Sequence, residues 1–141
     1  MSNKKRKEEL YNCLISASIF INNKYKSPLY ESCLKGKVNT FNYFASQSFI
    51  RDKIRTNSNL YLNAAITSKN KEIIKSILDI EPNNLDTFLL IEACLKELPE
   101  VALILIEHGV VGSQKALSIA CMKGYIEVAS KLLSKGIGNL H

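Results

Sequence analysis

Three columns of side chains keep one register along this chain, and nothing else in the sequence restricts the fold so tightly. Leu29, Leu62, Leu90 and Leu117 follow one another at gaps of 33, 28 and 27 residues. The same gaps relate Ser32, Ala65, Ala93 and Ala120, and again Phe44, Ile77, Leu105 and Leu132. A repeat of this length is one supersecondary unit that cannot bury its apolar face alone, so it must stack on units of its own kind. The last copy is the clearest, in KALSIACMKGYIEVASKLLSKG over 115–136. Leu117, Ala120 and Cys121 fall on one side of a short helix, Lys123-Gly124-Tyr125 breaks it, and Val128, Leu132 and Leu133 recur at helical spacing until Gly136.

The other copies follow the same plan. In 27–59, Ser27 is an N-cap, Pro28 suits the first helical position, Leu29, Ser32 and Cys33 form one stripe, and Gly36 makes the turn. Val38, Phe41, Phe44 and Ala45 then point inward, and 46–59 is a longer connection carrying Arg51, Asp52, Lys53 and Arg55. In 60–86 the inward residues are Leu62, Ala65 and Ile66, then Ile73, Ile74, Ile77 and Leu78. In 87–113 they are Leu90, Ala93 and Cys94, then Val101, Leu105 and Ile106, stopped by Gly109, with His108 placed to cap the last carbonyls. The fourth unit is 114–138. Ahead of all four, 8–22 reads as a helix that covers the open end of the stack, and 1–7, MSNKKRK, is a basic tail. The expected architecture is therefore all-α: a helical solenoid of about four helix-turn-helix units plus an N-terminal capping helix, in a single domain over 8–141. The final helix either caps the stack itself or leaves that end to another copy, giving a homo-oligomer, to a partner, or to residues beyond this sequence.

These units resemble ankyrin repeats, whose period is about 33 residues and whose signature includes T-P-L-H-x-A. Ser27-Pro28-Leu29-Tyr30 resembles that opening, 120–128 resembles the passage from first helix through turn into second, and Gly136 matches the terminal glycine. Two departures stand out. Lys69 and Glu97 occupy positions where the family usually has glycine between its helices, and two of the gaps are shorter than 33. The resemblance implies that projecting β-hairpin fingers join the units, and only the stretch around 50–58 is long enough to make a full one.

Chemistry of the catalytic kind has little to build on. The sequence lacks G-x-S-x-G, G-x-x-x-x-G-K-[ST] and H-E-x-x-H. Cys33, Cys94 and Cys121 share one column, a packing position where free cysteine acts as a small hydrophobe. The paired spacing of a zinc site is absent, so neither metal nor cofactor is expected. With 46% apolar and 23% charged residues the chain is expected to fold, and no apolar run is long enough to span a bilayer. A cytoplasmic or nuclear location is expected, with Lys4 to Lys7 sufficient for a minimal import signal.

What remains is binding. The first 75 residues carry 14 Lys/Arg against 5 Asp/Glu and the other 66 carry 5 against 8, so the N-terminal half is basic. Resemblance to ankyrin repeats implies a non-enzymatic module that binds a partner protein through its concave and finger surface. Lys35, Lys96 and Lys123 share a column just before the inter-helix turn. Lys37 and Tyr125 share the column just after it, Tyr125 as an aromatic anchor. Arg51, Lys53 and Arg55 would line one side of a finger strand by alternation. An abundance of Lys, Asn and Ile suggests an AT-rich source such as a large DNA virus, an intracellular bacterium or a parasite, where proteins of the family often engage host proteins. The alternative is RNA binding through the basic half, although few aromatics interleave the charges for base stacking.

Overall fold

The structure, a computed structural model, describes residues 27–138 and, before them, Glu9 alone. The tail expected over 1–7 and nearly all of the helix expected over 8–22 lie outside the described residues. Among those described there are nine α-helices and no strand: α1 (Pro28–Leu34), α2 (Val38–Ala45), α3 (Ser48–Thr56), α4 (Ser58–Thr67), α5 (Lys71–Asp79), α6 (Thr87–Leu95), α7 (Pro99–Glu107), α8 (Gln114–Lys123) and α9 (Ile126–Ser134). Eight of them form the pairs α1/α2, α4/α5, α6/α7 and α8/α9, and the first helices stack in the order α1, α4, α6, α8. The chain is thus an α-helical repeat solenoid.

The sequence columns are its core. Ala65, Ala93 and Ala120 are fully buried where first helices meet, and Phe44, Ile77, Leu105 and Leu132 are buried on the second helices. Small residues let the first helices approach closely, while the larger ones fill the space within each pair. Burying one such leucine or isoleucine contributes about 1.5–3 kcal/mol.

Each pair turns on the same backbone motif. Two or three places beyond the first helix's end, one residue donates its N–H five residues back: Lys37 to Ser32 (2.8 Å), Asn70 to Ala65 (3.2 Å), Leu98 to Ala93 (2.9 Å) and Tyr125 to Ala120 (2.8 Å). The residue before it is left-handed in all four, with φ of 66° at Gly36, 58° at Lys69, 62° at Glu97 and 75° at Gly124. This is the 6→1 bond of a Schellman ending, which satisfies a terminal carbonyl and reverses the chain. Lys69 and Glu97 adopt it without glycine, at the steric cost that a Cβ brings there.

The finger expected around 50–58 is not a β-hairpin. It is α3 and the start of α4, joined through Asn57 alone. A strand would place Ile50, Asp52 and Ile54 on one face and bury a carboxylate with two isoleucines. A helix brings Ile50 and Ile54 together four residues apart, both fully buried, and leaves the Asp52 side chain 71% exposed. Lys53 and Arg55 in its last turn also complement the helix dipole.

Two inward assignments fail at the far end. Cys33 and Cys94 are buried, but Cys121 is exposed, and Leu133 is 54% exposed where its equivalents Leu78 and Ile106 are buried. The earlier residues are covered by the next helix pair. Among the described residues no pair lies over α8 and α9.

Candidate functional site

The turn columns put chemistry at the same place in successive units. Lys35 and Lys96 are the C-caps of α1 and α6, Lys123 is the last residue of α8, and each immediately precedes the left-handed residue of its turn. Lys35 is exposed and pairs with Glu31 at 3.5 Å, one helical turn earlier. The charge of Lys123 reaches the Cys94 thiol of the preceding unit, where it partly offsets the upward push that burial gives that thiol. The second unit breaks the row with Ser68, whose hydroxyl donates to the Cys33 carbonyl at 2.9 Å.

Beyond the turn, the column is mixed. Lys37 is exposed at the N-cap of α2. Asn70 caps α5 by accepting from the Ile73 N–H (3.0 Å) and donates to the Gly36 carbonyl (3.3 Å), so it joins units rather than facing a partner. Leu98 is buried. Tyr125 is half-buried at the N-cap of α9, and its phenol is pushed up first by burial and then by the negative charges of Glu97 and Glu100. The Lys71 ammonium hydrogen-bonds Glu100 and holds its carboxyl below the usual range.

Arg51, Lys53 and Arg55 do not share a side. On α3, Arg51 and Arg55 are four apart and lie together, while Lys53 projects from a different face. Both guanidiniums bond within the fold: Arg51 Nη1 donates to the Ala45 carbonyl (2.9 Å), Arg55 Nε to the Ile80 carbonyl (3.1 Å) and Arg55 Nη1 to Asp52 Oδ1 (2.6 Å). Arg51 closes the α2–α3 corner, and Arg55 ties α3 to the end of α5. Burial lowers the pKa of Lys53. Sequence alternation missed this because it presupposed a strand.

Among the described residues no group of three or more His, Cys, Asp or Glu could hold a metal ion, and no helix is long and apolar enough to cross a membrane. His108 Nδ1 lies 3.0 Å from the Ile104 carbonyl, the expected capping role.

The family model for ankyrin repeats (3 copies) matches residues 62–140, more than half of the chain. The chain belongs to the ankyrin-repeat family. No curated protein and no solved structure matches. The match begins at the fourth helix and leaves out α1–α3, where the unit carries the additional helix. Ankyrin repeats are generally protein–protein interaction modules of a non-enzymatic, scaffold type, and this ankyrin-repeat chain has a protein partner as its general expectation.

Proposed function

We propose that this ankyrin-repeat chain holds an acidic partner protein on the surface made by its inter-helix turns and first helices, with Lys35, Lys96 and Lys123 as the charged row and Lys37 and Tyr125 beside it. The observation that carries the reading is the four-fold recurrence of one left-handed turn with lysine before it in three units. A rigid, repeated backbone presents those ammonium groups with little ordering left to occur on binding, and like charges in a row steer an oppositely charged partner. The composition rich in Lys, Asn and Ile supports an AT-rich source and hence a host protein as partner. Arg51 and Arg55 serve the fold first, so their substitution is a poor probe of binding.

The test is affinity capture from host-cell lysate by the full chain and by a Lys35/Lys96/Lys123→Glu variant, each with and without ribonuclease, after circular dichroism has shown equal folding. A discrete acidic protein retained through ribonuclease and lost with the variant is expected. Capture of nucleic acid that vanishes with nuclease or moderate salt would replace this reading with RNA binding.

A further inference from the structure

Between Glu100 and Glu107, helix α7 (PEVALILIE) runs through six apolar residues, VALILI, without a polar one. Such a run belongs in an interior. Val101, Ala102, Leu105 and Ile106 are buried, as the repeat requires, but Leu103 and Ile104 stand half-buried on the outer side. The repeat supplies its own control. The column of Leu103 holds Asn42, Lys75 and Ser130 in the other units, and the column of Ile104 holds Tyr43, Ser76 and Lys131. Only the third unit puts two aliphatic residues there. Across from them, Ile126 is 77% exposed at the start of α9, in a column that holds Val38, Lys71 and Pro99 in the other units.

Leu103 and Ile126 face one furrow. Two adjoining open depressions, of about 320 and 450 Å³, share Leu103, Ile126 and Glu127 and run between α7 and α9 from Pro99 to Glu107 and Ser134. Eight steps of helical rise from Pro99 to Glu107 make that about 12 Å, or roughly two helical turns. The floor is aliphatic and the rim acidic. Among the described residues, Glu107 and Glu127 are exposed and have no ion-pair partner, Glu100 is paired to Lys71, and Lys131 is the one cation lining either depression. An unneeded aliphatic pair on an outer helix face, framed by unpaired carboxylates, is complementary to a segment of opposite composition.

We propose that the α7–α9 furrow docks a basic amphipathic helix of a partner protein, which lays an aliphatic side chain on Leu103 and Ile126 and sets Lys or Arg beside Glu107 and Glu127. This is a helix-in-groove contact, with apolar anchors for affinity and charge for register. It lies on second helices, and its sign is opposite to that of the lysine row at the turns. It does not depend on the partner assigned to that row.

The probe is a fluorescein-labelled Lys/Leu peptide of roughly four helical turns with leucines at three- and four-residue spacing, titrated with the full chain and read by fluorescence anisotropy. Two variants use polar residues of the kinds the other units carry on their surfaces: Leu103→Asn/Ile126→Thr removes the floor, and Glu107→Ser/Glu127→Asn removes the rim. Each is expected to weaken binding by about tenfold or more, with an unchanged melting curve, while the Lys35/Lys96/Lys123→Glu variant still binds. Equal binding by the floor variant, or equal binding of a Glu/Leu peptide of the same pattern, overturns the proposal. So does a dimer in sedimentation that Ile126→Thr dissociates, because a second copy would then be the occupant.

Discussion

Among the described residues Tyr61 is the largest fully buried side chain, in a column that holds Leu89 and Ala116 in later units, and its hydroxyl has no hydrogen-bond partner there. Burial, helped by the nearby Cys33, pushes its pKa up to about 12. An unpartnered buried hydroxyl costs about 1–3 kcal/mol, so Tyr61→Phe should leave stability to urea unchanged or raise it by up to about 1 kcal/mol; a clear loss would reveal a partner for the oxygen. The thiols separate by exposure. Iodoacetamide should modify Cys121 in the native chain and leave Cys33 and Cys94 intact until unfolding, as read by peptide mass mapping. Burial also pushes Cys33 from 9.0 to about 12. The unfolded chain releases that proton first, so its contribution is complete below pH 9 and declines by about 1.4 kcal/mol per pH unit above it. Cys33→Ala should flatten the alkaline limb of a stability–pH curve.

At the scale of elements, the turns test whether backbone geometry or residue type defines the repeat. Lys69→Gly and Glu97→Gly relieve a left-handed φ and should each stabilise by about 0.5–1 kcal/mol. Gly124→Ala meets nothing within 4 Å, so its loss of about 1 kcal/mol would measure conformation alone. Thermal melts of the three variants check both signs. The helix pairs were legible because Leu, small and large columns recur at fixed spacing, and the caps because Ser27-Pro28 and Pro99 carry local chemistry. Helix α3 was not legible from the spacing of its isoleucines. Ile50 and Ile54 share a face in a strand as well as in a helix, and only the exposure of Asp52 between them separates the two. The roles of Ser68 and Asn70 were hidden for another reason: each bonds a carbonyl more than 30 residues away, which no local pattern announces.

At the scale of the molecule, stacking sets what a substitution costs. Leu105→Ala removes a fully buried side chain and should cost about 2–5 kcal/mol, whereas Lys96→Ala at a turn should stay within about 0.5 kcal/mol; equilibrium unfolding of both would expose a wrong inward assignment if the losses matched. The lysine row was readable in advance since it follows the repeat. The furrow was not, because Leu103 departs from its column, which holds Asn42, Lys75 and Ser130 elsewhere, and that departure gains meaning only after the outer face of α7 is known. The pattern of inter-unit ties carries a mechanical consequence. Ser68 and Asn70 bolt the second pair to the first, and Lys71 with Glu100 links the second to the third. Among the described residues no side-chain hydrogen bond or ion pair runs from α6 or α7 to α8 or α9. Drawn between its two ends, the stack would part like a zip from the α8–α9 side, giving up first the pair that no side-chain hydrogen bond or ion pair pins and keeping the pinned pairs to the last.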